Sequence, residues 1–253
     1  MPGFSGQGKV YVGNRNADGT PGRLQWVGNA PVFRLALNED VVERPESYSG
    51  NRLPNRRMTR SRGGELTLTF DEFSVNNMAL ALLGVNTLVA ASASVTNHVL
   101  GGADGANVVV GDTLLLPRKN VASLTVKDNA NTSLALNTNY DVDLFAASIT
   151  IKNLSAGGPY TLPLKADFTP GAVNVQGAFK ALSTEVYIRM DGVNTDDGSR
   201  VVVDVFRARL SPTRQMDFIN DDFNDFELSG AILADLLRSA SSPEGQYYSI
   251  TSA

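Results

Sequence analysis

With 253 residues, 42% hydrophobic and 19% charged side chains, the chain can bury one large core or two modest ones and is neither disordered nor membrane-like in composition. The absence of cysteine removes disulfides, zinc ribbons, iron–sulfur clusters and thiol nucleophiles, and the single histidine, His98, removes multi-histidine metal sites. A net charge of −4 is not that of a general nucleic-acid coat, so the informative question is where the charges sit.

The first residues, Met-Pro-Gly-Phe-Ser-Gly-Gln-Gly, have no basic segment followed by an apolar core, and no secretory signal is expected. No apolar run approaches a bilayer span, so no membrane crossing is expected either. Lys9-Val-Tyr-Val-Gly13 and Arg23-Leu-Gln-Trp-Val27 are short alternating runs. The turn-forming stretch between them predicts a β-hairpin with a longish loop. Pro31 to Leu37 predicts a third strand, with Phe33, Leu35 and Leu37 on one face.

Residues 38–64 lose the apolar pattern and carry Pro45, Pro54, Gly50, Gly63 and Gly64. They are expected to be a long strand–loop–strand excursion, of a length that is uncommon without a function. Six arginines, Arg44, Arg52, Arg56, Arg57, Arg60 and Arg62, stand against one acid, Glu46, within 44–62. Glu65 to Phe70 resumes strict alternation. A short helix follows, with Ser74 as its N-cap, Phe73 and Met78 at the spacing of a hydrophobic staple, and Gly84 as its stop.

From Asn86 to Ala172 only eleven of 87 residues are charged. Val121 to Val126, Tyr140 to Asp143 and Ser148 to Ile151 read as strands of a small β module. The module is expected to occupy 86–172, inserted between 1–85 and 173–253 of a discontinuous main domain. Thr184 to Met190 and Val201 to Phe206 return to strand patterning. Residues 217–227 hold Asp217, Asp221, Asp222, Asp225 and Glu227 without a basic residue. A last strand begins at Phe226, Ala231 to Arg238 fits strand or helix, and Ser241 to Tyr248 is expected to be a mobile extension.

Little of this supports catalysis. No phosphate-binding loop or nucleophile elbow occurs. His98 has no neighbouring acid nearer in sequence than Asp104, and the adjacent acids Asp196-Asp197 and Asp221-Asp222 read as solvated turn residues rather than a glycosidase pair. Trp26 fits a core or interface role better than a sugar platform. The expected catalytic, cofactor-binding and metal residues are none. The arginine segment leaves three readings open: a solvated loop, a nucleic-acid contact with only Tyr48 for stacking, and a subunit interface meeting the acids of 217–227. The favoured contact residues are Arg52, Arg56, Arg57, Arg60, Arg62, Asp221, Asp222 and Asp225.

Phe4-Ser-Gly-Gln-Gly-Lys-Val-Tyr-Val-Gly-Asn-Arg15, with Trp26-Val-Gly-Asn-Ala-Pro31, resembles the major tail tube protein of long-tailed bacteriophages. So do Glu46-Ser-Tyr-Ser-Gly50, Asp71 to Leu80, and Asp191-Gly-Val-Asn-Thr-Asp-Asp-Gly198 with Val201 to Phe206. The resemblance covers roughly 1–85 and 184–235. It implies a mainly β, sandwich or barrel tail-tube fold with one flanking helix and a long loop between two early strands, the position of the arginine-rich 38–64. The drop in charge density over 86–172 leads to the expectation that the inserted module lies on the outer surface. The resemblance also implies a structural virion protein assembled in the host cytoplasm as hexameric rings stacked into a hollow tail tube. Its partners would be copies of itself, a tape-measure protein, tail-end proteins, and genomic DNA passing through the lumen without specific binding. A DNA-binding protein, or a tail-associated glycan-binding or glycan-hydrolysing β protein, is the alternative.

Overall fold

A computed structural model describes residues 3–181, 185–221 and 223–252. Two of the expected features, Thr184 as a strand start and Asp222 as a contact residue, lie outside the described residues. The chain divides into two compact units, 1–86 with 176–253, and 87–175. Composition had suggested 86 and 172 as the limits of the inserted segment.

The elements in chain order are β1 (Gly6–Asn14), β2 (Gln25–Trp26), β3 (Val32–Pro45), β4 (Pro54–Phe70), α1 (Val75–Leu82), β5 (Val85–Val89) and β6 (Val95–Val99). A 3-10 helix (Gly102–Asn107) follows, then β7 (Thr113–Leu115), β8 (Val121–Lys127), β9 (Tyr140–Asp143), β10 (Ser148–Ile151) and β11 (Lys165–Pro170). The chain continues through β12 (Val173–Gly177), β13 (Glu185–Asn194), β14 (Arg200–Leu210), β15 (Phe226–Ile232) and β16 (Tyr248–Ser252). The fold is mainly β.

The first unit is built on one antiparallel sheet of eight strands in the order β2-β1-β13-β14-β15-β4-β3, with β16 also on β14. The sheet does not close; β2 and β3 are its edges. Its apolar face follows from alternation: Val10 and Val12, Leu66, Leu68 and Phe70, Val186 and Ile188, and Phe226 and Leu228 are all buried in one core. Phe70 and Phe226, register partners on β4 and β15, stack with ring centroids 5.5 Å apart. Burying such side chains contributes about 1.5–3 kcal/mol each, and this holds the sheet against its conformational entropy.

α1 begins as expected: the Ser74 hydroxyl accepts from the Asn77 amide. Its end differs. Leu83, not Gly84, takes the left-handed conformation (φ 45°), and the Gly84 amide donates to the Ala79 carbonyl. Gly84 is needed for space, since a Cβ there would stand 2.9 Å from the Gly177 carbonyl oxygen.

Two further expectations are corrected. Residues 38–64 are no long loop: β3 and β4 pair from Val32↔Thr69 out to Pro45↔Pro54, leaving only residues 46–53 as the turn. The apolar alternation stops at Leu37 because most side chains beyond it on both faces are exposed, while the backbone ladder continues. Alternation reports one-sided burial, not strand conformation itself. The chain end is likewise no free extension, since β16 pairs with residues 201–205 of β14. β15 pairs with only residues 208–210, so the other half of that β14 edge is open to β16. Ala231 to Arg238 resolves as strand to Ile232 and then turn.

An ionic cluster in this unit is centred on the buried pair Arg15 and Asp235. Arg15, in the loop after β1, donates to Asp235 at 2.6 Å, and Arg238 lies 3.7 Å from the same carboxylate. Glu185 joins Arg15 and Arg207, and Glu244 joins Arg238 at 2.5 Å. Asp235 is fully buried.

The second unit has two three-stranded sheets, β7-β10-β9 and β6-β11-β8. Its separate core includes Leu100, Val126, Ile149, Ile151, Leu164 and Phe168. Buried Asp128 ties its turns together, accepting from the amides of Thr132 (2.7 Å) and Thr161 (3.0 Å).

Candidate functional site

The β3–β4 hairpin carries the arginines on two faces of different character. Strand geometry puts Glu39, Val41 and Glu43 on the face that continues from Phe33 and Leu35, and Asp40, Val42 and Arg44 on the other. Between Asp40 and Val41 the register shifts, leaving Arg60 as an extra residue on β4.

The first face is a closed charge network. Glu39 accepts from the Thr59 hydroxyl at 2.7 Å and lies 3.4 Å from Arg62 and 4.0 Å from Arg57, which also lies 3.8 Å from Glu43. The Thr59 hydroxyl, and then Arg62, hold the Glu39 carboxyl below its usual range. On the second face Arg60 approaches Asp40 at 3.9 Å. Beyond that pair the face changes. Val42 stands opposite Met58, and Arg44 stands directly opposite Arg56. Among the described residues neither Arg44, Arg56 nor Arg52 enters an ion pair.

The tip is an ordered turn. The Glu46 amide donates to the Leu53 carbonyl at 2.8 Å, and the Glu46 carboxylate accepts from the amides of Tyr48 (2.9 Å) and Ser49 (2.8 Å) and from the Ser49 hydroxyl. These bonds, the hydroxyl's first, depress the carboxyl's pKa.

Of the expected contact residues, Arg57, Arg60 and Arg62 are therefore engaged within the hairpin. Arg56 is not, and Arg44, left out of that set, is its equal. The window that began at residue 44 cut off Glu39, Asp40 and Glu43. Over 38–64 the six arginines meet four acids, a net +2 rather than +5. The signal was present in the sequence as acids preceding, and arginines following, a central turn.

The acidic segment lies between β14 and β15. Asp221 and Asp225 are exposed and make no ion pair among the described residues, while Asp217 accepts from the Gln215 side chain at 2.9 Å. Interleaved with them are Phe218 and Ile219, 77% and 96% exposed. Charge counting had passed over these two apolar side chains.

Of the residues weighed for catalysis, His98, Asp196, Asp197 and Trp26 have structural partners. His98 stands edge-on to Phe168, centroids 5.8 Å apart. Asp196 accepts from the Gly3 amide at 2.6 Å, and Asp197 accepts from the Ser199 hydroxyl at 2.7 Å, which lowers its pKa. Trp26 is half exposed under the Lys9 ammonium, 5.1 Å from the ring centre. Among the described residues no group of three or more His, Cys, Asp or Glu is placed to hold a metal ion, and no helix is long and apolar enough to cross a membrane.

Together these features define a mainly β protein with an open antiparallel sheet, a projecting charged hairpin and an inserted β unit. The chain belongs to the family described as Protein of unknown function UCP028589, which matches residues 3–251. No curated protein matches it.

Proposed function

We propose that the protein is a structural subunit that assembles with copies of itself into stacked, hexameric rings, forming the hollow tail tube of a bacteriophage virion. The observation that carries this reading is the hairpin. β3 and β4 run paired well beyond the last buried core residue, with most side chains on both faces in water. An isolated two-stranded ribbon is marginally stable, and long exposed edges are normally blunted or covered. A second copy covering the ribbon, and neighbouring copies pairing at the edges β2 and β3, would supply what the monomer lacks and would close the sheet into a ring-spanning barrel.

In this reading the partners are copies of the chain, a tape-measure protein and tail-end proteins, with DNA passing through the lumen unbound. Catalysis and cofactors have no part in it. Sequence-independent DNA binding draws less support, because the hairpin's own acids reduce its net charge to +2. Negative-stain microscopy of purified protein over a concentration series tests the proposal. Rings or tubes are expected; single subunits at every concentration would overturn it.

A further inference from the structure

We infer that the Arg44/Arg56 face of the hairpin docks on the exposed Phe218, Ile219, Asp221 and Asp225 of a second copy of this chain. The inference rests on the self-assembly reading above and narrows it to one face and one partner segment. Arg44 and Arg56 oppose each other across the ladder, and like charges in that position destabilise a strand pair unless an anion lies between or above them. The neighbouring pair on the same face, Val42 and Met58, is apolar and largely exposed at 46% and 64%. One face of one ribbon thus offers two arginines without carboxylate partners beside two apolar side chains without cover.

Phe218, Ile219, Asp221 and Asp225 offer the complement. Asp221 and Asp225 make no ion pair among the described residues, and Phe218 and Ile219 are exposed between Asp217 and Asp221. Arginine can meet carboxylates with two parallel hydrogen bonds, and removal of Met58 and Ile219 from water adds an apolar contribution. The opposite hairpin face already carries both signs of charge, with Glu39 and Glu43 beside Arg57 and Arg62 and the Thr59 hydroxyl on Glu39. A contact between two different surfaces is heterologous, the kind that builds rings and filaments rather than closed dimers.

The cysteine-free chain makes a clean test. Met58→Cys and Ile219→Cys are made in separate chains, mixed at high concentration under mild oxidation, and resolved on non-reducing gels. The expected result is a disulfide-linked dimer of the two different chains, well above the level either chain forms alone. Adding Arg44→Glu and Arg56→Glu to the Met58→Cys chain is expected to abolish that dimer. Asp221→Arg with Asp225→Arg in the Ile219→Cys chain is expected to restore it. All the substituted side chains are exposed, so the melting temperature of each variant should match its parent and exclude misfolding. A mixed dimer no more abundant than the self-linked ones, or one indifferent to the arginine reversal, would overturn the inference. Because the trap reads pairwise contact, it is separable from the tube reading. Tubes without the mixed dimer discard this contact alone, and the mixed dimer without rings or tubes keeps the contact and discards the tube.

Discussion

Arg15 donates to Asp235 at 2.6 Å across 220 residues of sequence, and both side chains are almost wholly withdrawn from water. Arg238 and the Leu237 amide complete the Asp235 environment, while Glu185 shares Arg15 with it. This contact joins the loop after β1 to the turn that follows β15, so it ties the first part of the chain to the last. Removing one member leaves charges buried without compensation, at a cost of about 3–5 kcal/mol. Asp235→Ala should lower the melting temperature of this unit on the order of 10 °C. Calorimetry of wild type and variant checks this, and an unchanged transition would mean that the cluster is wetter than its burial implies.

Glu46 links the hairpin tip to pH. Its carboxyl is held below the usual range, the Ser49 hydroxyl contributing most, followed by the Ser49 and Tyr48 amides. For a depressed carboxyl the stabilisation is fully present above the ordinary Glu pKa and is lost as pH falls through the folded value. The Tyr48 and Ser49 amides should therefore be protected from exchange at neutral pH and lose protection in acid, below the point where an ordinary glutamate protonates. Glu46→Gln should remove both the neutral-pH protection and its acid transition. Amide exchange followed by NMR reads both, and protection that survives in the glutamine variant would assign the turn's order to the backbone alone.

The sequence made the one-sidedly buried elements readable and left the two-sidedly exposed ones obscure. Leu66, Leu68 and Phe70 announce β4 because water lies on one side of them and core on the other. The next residues out, Arg62 to Arg56, belong to the same strand but are exposed on both faces, with charged side chains on each. No periodicity survives, and the stretch reads as a loop. β16 was hidden for a different reason: Tyr248 to Ser252 form a strand because β14 outruns β15, a fact about pairing lengths that local pattern does not carry. The candidate site was legible as an excess of arginine. Which arginines are engaged depends on cross-strand register, and that depends on the bulge at Arg60.

Residues 87–175 should fold alone. Leu100, Val126, Ile149, Leu164 and Ala166 are fully buried in a core of that unit's own residues, and Asp128 and Asn139 satisfy its turns locally. Eighty-nine residues suffice for an independent domain. The isolated segment should give dispersed NMR spectra and a cooperative thermal transition. The complementary deletion of 87–175, bridged by a short Gly/Ser linker, should leave the rest folded, since β5 and β12 pair where the chain leaves and returns. Aggregation of both fragments would make the two units one folding entity.

The hairpin's acids should also decide whether it binds DNA. Glu39 and Glu43 hold Arg57 and Arg62, and Asp40 faces Arg60, so three of six arginines spend their charge within the ribbon. Each phosphate engaged would add about −0.9 to the slope of log affinity against log salt. Glu39→Gln, Asp40→Asn and Glu43→Gln together release the three arginines without adding bulk. The triple variant should gain salt-sensitive affinity for duplex DNA, with a slope approaching about −3 if all three reach phosphates. Wild type should show little binding at the same ionic strength. Fluorescence anisotropy with a labelled duplex over a salt series measures both. Equal affinity in the two proteins would mean that the acids do not mask the arginines, and it would favour a nucleic-acid contact for the hairpin over a contact between copies.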